Sequence, residues 1–198
     1  MKVLLASRNA KKLVELRRVL AGAAPAVTLL GLDDVPAYDE LPETGLTFAD
    51  NALLKAREGV RHTGLPTVAD DSGLAVDVLG GSPGIFSARW SGRHGADDAN
   101  LDLLLAQLGD VADPHRGAAF VCAAACVLPS GAERVWHGEL RGRLLPARRG
   151  TGGFGYDPIF VADGQTATNA ELDPAAKDAI SHRGIAFRAL ATHLSTLP

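Results

Sequence analysis

The sequence contains only two cysteines, Cys122 and Cys126, which lie four residues apart in an apolar segment. In a β-strand, four residues span about 13 Å, which is beyond the reach of a disulfide. In a helix the two thiols would share a face, but the valine and phenylalanine around them favour a buried strand. The chain has no further cysteine to complete a zinc site. We therefore predict two buried, unreactive thiols.

The chain also lacks long apolar runs and an excess of basic charge. No run approaches the roughly 20 apolar residues that span a bilayer, and the apolar part of the N-terminus is too short for a secretory signal. With 20 Lys and Arg against 23 Asp and Glu, the net charge is -3. These features predict a cytoplasmic protein without nucleic-acid or membrane partners. Its 198 residues are enough for one domain or one bilobed unit.

Apolar periodicity predicts an α/β protein in which strands and helices alternate through the first half. The predicted strands lie near 2–6, 26–30, 65–69, 74–79, 118–128, 133–144 and 158–161. The predicted helices lie near 9–20, 47–60, 96–108 and 181–194, the second opened by a capping box at Thr47 and Asp50. Strands 118–128 and 133–144 are joined by a short turn, so the sheet must be mixed.

Two adjacent carboxylates, Asp70 and Asp71, follow the apolar run that ends at Ala69. Adjacent carboxylates at the end of a buried strand repel each other unless a cation lies between them or they share a proton. Hard oxygen ligands suit Mg²⁺, which usually binds together with phosphates. The alternative is a turn between two strands, where Asp, Ser and Gly are common.

Two further segments carry groups that suit phosphate. Ser7, Asn9 and Lys12 fall between a predicted strand and the first turn of a helix, where backbone N–H groups attract anions. Asn51 and Lys55 share one face of the next helix, and Glu43 precedes that helix in a loop. The alternatives are an ordinary helix cap and solvated surface lysines.

A glycine-rich segment, 152–160, includes Phe154, Tyr156 and Asp157. Aromatic rings can stack on a nucleobase, and a carboxylate can accept a hydrogen bond from a base or ribose. The alternative is a tight connection with both rings packed in the core. Lys177, and His182 with Arg183, can bind carbonyl or phosphate oxygens; as an alternative, they are exposed polar residues at the start of a helix.

Taken together and in order, these segments resemble the inosine triphosphate pyrophosphatase family over nearly the whole chain. The matching motifs are Ser7-x-Asn9-x-x-Lys12, Glu43-Thr-Gly, Thr47-Phe-x-x-Asn51-Ala-x-x-Lys55, Ala69-Asp-Asp-Ser-Gly-Leu74, Pro83-Gly-x-x-Ser-Ala-Arg-Trp90, Gly153-Phe-Gly-Tyr-Asp-Pro158 and Ser181-His-Arg183.

The resemblance implies hydrolysis of ITP, dITP and XTP to the monophosphate and pyrophosphate with Mg²⁺ as cofactor. It also implies a long, bent mixed sheet flanked by helices, two lobes with a cleft, and a homodimer. The whole chain, 1–198, would form one bilobed domain. Its binding partners would be small purine nucleoside triphosphates.

Site residues follow from the same resemblance. The triphosphate and substrate contacts it implies are Ser7, Arg8, Asn9, Ala10, Lys11, Lys12, Asn51, Lys55 and Ser72. The magnesium ligands it implies are Glu43 and Asp71, with Asp71 also the proton acceptor. The base and sugar contacts it implies are Phe154, Gly155, Tyr156, Asp157, Lys177, His182 and Arg183.

The chemistry of these residues suits that reaction. Two lysines and Mg²⁺ would neutralise the departing pyrophosphate, and Asp71, or Asp70 beside it, would take a proton from water. His182 or Arg183 would donate to the 6-oxo group of the favoured base, where adenine presents a donor instead. Two other hypotheses stay open at this point: a pyrophosphatase for pyrimidine or modified nucleotides, and a nucleotide sensor without activity.

Overall fold

A computed structural model describes residues 1–39 and 41–197, and the side chain of Lys11 lies outside the described part. Its central feature is a six-stranded sheet with the strand order β2-β1-β3-β4-β5-β6. The strands are β1 (Lys2–Leu5), β2 (Thr28–Leu30), β3 (Thr67–Val76), β4 (Gly117–Val127), β5 (Glu133–Leu144) and β6 (Phe160–Ala162). Because β1 pairs in parallel with β2 and β3 while β5 and β6 are antiparallel, the predicted mixed sheet is confirmed.

Five α-helices accompany the sheet in the described part of the chain, and four of them were predicted within a few residues. The helices are α1 (Ala10–Ala23), α2 (Phe48–Thr63), α3 (Asp97–Gln107), α4 (Pro174–Ile180) and α5 (His182–Leu194). The unpredicted one, α4, has seven residues, which is too short to show an apolar period. Its start is fixed by Asp173, whose side chain accepts hydrogen bonds from the N–H groups of Ala175 and Ala176.

Helix α2 begins and ends where its sequence signals are. The Thr47 side chain accepts a hydrogen bond from the Asp50 N–H, and the Asp50 carboxylate accepts one from the Thr47 N–H, so the predicted capping box is confirmed. At the other end Gly64 adopts a left-handed conformation, φ +66°, and its N–H donates to the Val60 carbonyl. These caps set the register of the helix that carries Asn51 and Lys55.

The prediction of two strands separated by a turn at Asp70–Gly73 was wrong. Strand β3 runs without a break from Thr67 to Val76, between β1 and β4 in the sheet. Strand β1 pairs with its start, at Thr67 and Val68, β4 lies on its other side, and the charged side chains find partners from distant segments. Turn-forming residue types were therefore overridden by tertiary contacts. After β3 the chain forms a single turn of 3₁₀-helix, Asp77–Leu79, where a strand was expected.

The chain forms two compact units, each with its own hydrophobic core. The first unit comprises Met1–Asp71, Cys122–Gly138 and Arg183–Pro198, and the second comprises Ser72–Val121 and Glu139–His182. The first core is built from residues of the sheet and of helices α1 and α5, among them Leu5, Leu16, Leu20, Val68 and Phe187. The second is built around Leu74, Leu101, Leu104, Phe120 and Phe160.

Both cysteines are free and buried, as predicted. Burial raises the pKa of Cys126 to about 11. Burial, together with the charge of Asp70, also raises the pKa of Cys122 above its ordinary value. Neither thiol therefore forms an appreciable amount of thiolate at neutral pH. None of the described helices has the length and apolar character that crossing a membrane requires.

Candidate functional site

The first unit surrounds the two adjacent carboxylates with cations and an amide. We call this set the acid-pair cluster; its members are Lys12, Glu43, Asn51, Lys55, Asp70, Asp71 and Arg183. Successive side chains of a strand point to opposite faces, so the two aspartates of β3 meet different neighbours. Their mutual repulsion is relieved by separate partners.

Asp70 is fully buried and ion-paired. Its Oδ2 lies 2.8 Å from Lys12 Nζ and 3.4 Å from Arg183 Nε. Arg183 is itself held by Glu15, whose Oε2 lies 2.8 Å from Nη1. Burial alone would raise the pKa of Asp70, but the charges of Lys12 and Arg183 outweigh it and hold the pKa below its ordinary value. Asp70 is therefore a fixed negative charge at neutral pH.

Asp71 has weaker compensation. Asn51 Nδ2 donates to its Oδ2 at 3.1 Å, and Lys55 Nζ lies 3.7 Å from its Oδ1. Burial raises the pKa of Asp71 above its ordinary value, the nearby charge of Glu43 adds to this, and Lys55 offsets only part of it. Of the two carboxylates, Asp71 is thus the more basic, which is the property that a proton acceptor needs. The sequence alone did not rank them.

Lys55 joins Asp71 to Glu43. Its ammonium lies 2.8 Å from Glu43 Oε1, so two carboxylates converge on one cation. Burial lowers the pKa of Lys55, but Asp71, Asp70 and Glu43 outweigh it, and the pKa is raised. The ammonium therefore stays charged. The alternative of a solvated surface lysine is wrong here, because only 18% of the side chain is exposed.

The oxygen donors of this cluster suit Mg²⁺. Glu43 and Asp71 both lie within 4 Å of the Lys55 ammonium, so their carboxylates face a common region. Among the described residues, no three His, Cys, Asp or Glu side chains are grouped so as to hold a metal by themselves. Mg²⁺ typically takes one or two carboxylates and completes its shell with water and substrate phosphates. Glu43 and Asp71 fit that pattern.

The segment between β1 and α1 positions Lys12. The Asn9 N–H donates to Ser7 Oγ at 3.2 Å, and the Asn9 carbonyl accepts from the Lys12 N–H at 3.0 Å. This turn places Lys12 in the first turn of α1, with its ammonium against Asp70. Arg8 lies in the same segment and Ala10 is the first residue of α1, whereas the Lys11 side chain lies outside the described residues.

The second unit contains a separate polar group built on Asp157, which is 3% exposed. Its Oδ2 accepts hydrogen bonds from the Phe154 N–H at 2.8 Å and from Lys177 Nζ at 2.6 Å. Its Oδ1 accepts from Asn169 Nδ2 at 3.3 Å. The Lys177 ammonium also lies 4.9 Å from the centre of the Phe154 ring. We call these four residues, Phe154, Asp157, Asn169 and Lys177, the Asp157 cluster.

Glycines shape the loop that carries Phe154. Gly153 has φ +71°, and a Cβ at this position would overlap the Asp157 carboxylate. Gly155 has φ +59°, and its N–H donates to Asp97 at 3.2 Å. Any side chain at Gly153 would therefore displace the carboxylate that accepts the Phe154 N–H.

Two further predicted residues of the second unit, Tyr156 and His182, are packed in its interior. The Tyr156 ring is buried, and its hydroxyl donates to the Ser87 carbonyl at 2.9 Å, as the core-packing alternative predicts. His182 stacks on Phe120, with ring centres 5.0 Å apart and planes 13° apart. Its neighbour Arg183 belongs to the first unit and to the acid-pair cluster. Ser72 follows Asp71 in β3.

Among the residues that hold site side chains, sequence reasoning missed Glu15 and Asn169. Glu15 binds Arg183 from 168 positions away, and Asn169 binds Asp157 from 12 positions away. Neither belongs to a motif that chemistry or spacing singles out. Only the fold identifies them.

The sequence is similar to one family along almost its entire length. A sequence model of the Ham1 family matches residues 3–193. A dITP/XTP pyrophosphatase of Frankia alni is 64% identical over 199 residues, covering 98% of this chain and 97% of that protein. A dITP/XTP pyrophosphatase of Streptomyces coelicolor is 62% identical over 189 residues, covering 96% and 94% of the two chains.

Solved structures agree with the sequence relatives. A nucleoside-triphosphatase / dITP/XTP pyrophosphatase from Mycobacterium abscessus superposes with a TM-score of 0.80 at 61% identity, covering 98% of this chain and 99% of that one. A HAM1 protein from Coxiella burnetii superposes with a TM-score of 0.89 at 38% identity, covering both chains completely. The fold described above is thus the fold of these proteins.

Proposed function

We propose that this chain, which belongs to the Ham1 family, hydrolyses dITP, ITP and XTP to the nucleoside monophosphate and pyrophosphate. The names of its relatives at 64% and 62% identity support the substrate class. The observation that carries the proposal is the acid pair, in which Asp70 pairs with Lys12 while Asp71 lies beside Lys55.

The acid-pair cluster is the proposed binding site for the triphosphate and the metal. Lys12 and Lys55 would neutralise the pyrophosphate that departs, and Glu43 with Asp71 would hold Mg²⁺. When bound, Mg²⁺ supplies further positive charge to the phosphates. The further phosphate and substrate contacts that we propose are Ser7, Arg8, Asn9, Ala10, Lys11, Asn51 and Ser72. Positioning and electrostatics of this kind provide most of the catalysis in phosphoryl transfer.

Asp71 is the proposed proton acceptor for the attacking water. Burial raises its pKa above the ordinary value for aspartate, which makes it a better base than Asp70. The hydrogen bond from Asn51 to Oδ2 fixes the orientation of the carboxylate. Asp70, held ionised by Lys12 and Arg183, fixes those two cations in place.

The Asp157 cluster is the proposed binding site for the base. The Phe154 ring offers a stacking surface, and Asp157 and Lys177 offer an acceptor and a donor. We propose further contacts from Gly155, Tyr156, His182 and Arg183. Donors facing the 6-oxo group would favour hypoxanthine and xanthine, whereas the amino group of adenine would meet donor with donor.

We also propose that the chain acts as one functional domain, as a homodimer, in the cytoplasm. The single family model that spans residues 3–193 supports the first point. The resemblance of the sequence to the family supports the homodimer, and the location in the cytoplasm is proposed on the sequence features given above. Light scattering on the purified chain of 20.6 kDa tests the dimer, because it distinguishes one mass from twice that mass.

A substrate panel tests the activity. Pyrophosphate and nucleoside monophosphate release would be measured for dITP, ITP, XTP, GTP, dATP and dUTP with Mg²⁺, using Asp71→Asn as the inactive control. We expect release mainly from dITP, ITP and XTP. Preference for dUTP would favour a pyrimidine or modified-nucleotide pyrophosphatase instead. Tight binding of ITP with no pyrophosphate would indicate a nucleotide sensor.

A further inference from the structure

Asn169 is a buried amide in the second unit, in the segment that connects β6 to α4. Its side chain and backbone together are 2% exposed, and its N–H donates to the Phe160 carbonyl at 3.0 Å. The residue before it is also fixed, because Thr168 Oγ1 donates to the Arg149 carbonyl at 2.8 Å. The position of Asn169 is therefore set by the backbone on both sides.

The orientation of this amide is decided by Asp157. Asn169 Nδ2 lies 3.3 Å from Asp157 Oδ1. The flipped amide would place a carbonyl oxygen against the carboxylate, which is repulsive. Consequently Asn169 Oδ1 faces away from Asp157, and among the described residues this buried acceptor has no hydrogen-bond donor. Buried acceptors in native proteins are nearly always satisfied, so a donor from water or from a bound ligand completes this one.

Asp157 depends on this amide for one of its two oxygens. The Phe154 N–H and Lys177 both donate to Oδ2, whereas Asn169 is the one donor to Oδ1 among the described residues. Loss of the amide would leave Oδ1 buried without a partner, and the carboxylate would turn toward Lys177 or water. The groups that face the base in the proposed function would shift with it.

We propose that Asn169 determines base specificity: its Nδ2 positions Asp157, and its Oδ1 accepts a hydrogen bond from a ring N–H of the bound base. This rests on the proposed function, in which the Asp157 cluster binds the base. Hypoxanthine and xanthine carry a ring N–H at position 1, whereas adenine has an acceptor there. An acceptor in the protein therefore distinguishes 6-oxopurines from adenine.

Steady-state kinetics on the full chain test this inference, with dITP, XTP and dATP as substrates. Asn169→Ala should lower kcat/KM for dITP and XTP by about 10- to 100-fold, mostly through KM, because a hydrogen bond to a buried group is lost. Activity on dATP should fall by a clearly smaller factor, since adenine loses the positioned Asp157 but never used the Asn169 acceptor.

Asn100→Ala is the matched control. Asn100 is also a buried amide of the second unit, 1% exposed, and its Oδ1 accepts from the N–H and hydroxyl of Ser91 at 2.7 Å each. Its loss should lower Tm while leaving the ratio of dITP to dATP activity unchanged. A role for Asn169 in stability alone would make the two variants behave alike.

Asn169→Asp is a second variant, for the case that the alanine variant does not fold. It keeps the size and shape of the side chain. It places a second carboxylate beside Asp157, with Lys177 as the facing cation, and removes the donor. Two such carboxylates share a proton when the pH is low enough. The activity of this variant relative to the wild type on dITP should therefore be lowest at alkaline pH and should recover as pH falls.

Each outcome has a distinct meaning. Equal losses on dITP, XTP and dATP in Asn169→Ala, or no loss on any of them, would overturn the specificity role. A pH-independent ratio for Asn169→Asp would overturn the positioning of Asp157. Absence of pyrophosphate release from dITP and XTP by the wild-type chain would instead overturn the proposed function, and the inference would fall with it.

Discussion

At the scale of single residues, Asp70 and Asp71 show how neighbours in sequence come to differ in chemistry. Asp70 is fully buried, but Lys12 and Arg183 hold its pKa below the ordinary value. Burial raises the pKa of Asp71, and its lysine and amide partners offset only part of that effect. The difference arises because a strand turns successive side chains to opposite faces. A pair of identical residues is thereby divided into a fixed charge and a base.

Asp71→Asn should lower turnover on dITP by roughly 10²- to 10⁴-fold, which is the rate enhancement that a single general base typically contributes. Its Tm at neutral pH should be equal to or above that of the wild type, because the folded state raises the pKa of Asp71 and so opposes its charge. Pyrophosphate release and thermal unfolding measure the two effects. Near-normal turnover would remove Asp71 from the proposed role.

Lys12→Ala and Lys55→Ala should each cost roughly 2–4 kcal/mol in kcat/KM, the range for one electrostatic donor. The loss in kcat/KM should be the same for dITP and GTP, because the lysines would contact the triphosphate and not the base. The matched control is Arg57→Ala on the same helix as Lys55, because Arg57 forms an exposed ion pair with Glu133 and should leave kinetics unchanged. A changed ratio of dITP to GTP in the lysine variants would contradict phosphate binding.

At the scale of elements, α2 carries the proposed ligands because its ends are fixed. Thr47→Ala should lower the free energy of unfolding by about 0.5–2 kcal/mol, since the first turn loses the acceptor for the Asp50 N–H. Thr47→Ser keeps that acceptor and should lose much less. Urea titrations of both variants would measure the difference. Equal stability of the two would show that the cap contributes little.

Strand β4 holds both thiols in the interior. Because burial raises the pKa of Cys126 to about 11, about one thiol in a thousand is ionised at pH 8. We expect alkylating reagents to label neither cysteine in the folded protein and both after unfolding in urea. Mass spectrometry of pulse-labelled samples measures this. Rapid labelling under native conditions would show that β4 opens readily.

At the scale of the whole molecule, metal binding should depend on substrate. The acid-pair cluster offers two carboxylates, Glu43 and Asp71, together with a lysine that competes for both. Mg²⁺ should therefore bind weakly to the free chain in calorimetry and much more tightly when a non-hydrolysable dITP analogue is present. EDTA should abolish pyrophosphate release, and excess Mg²⁺ should restore it. Full activity in EDTA would contradict a metal-dependent reaction.

Much of the secondary structure of this protein could be predicted from local sequence patterns. The mixed sheet, four helices, the cap at Thr47 and the buried cysteines follow from periodicity, turn residues and capping rules, which act over a few positions. The proposed site residues also stand out as motifs, because phosphate and metal chemistry requires particular residue types. Where local rules competed with tertiary pairing, as in β3, the local prediction of a turn was wrong.

By itself, then, the sequence determined the elements, the sheet class, the family resemblance and the set of chemically capable residues. Only the tertiary structure decided which carboxylate is the base, because burial and neighbouring charge come from Lys12, Lys55 and Arg183 in separate segments. It alone also identified Glu15 and Asn169 as partners of Arg183 and Asp157. The physical reason is that pKa values and hydrogen-bond partners depend on distances in space, and no local pattern specifies those distances.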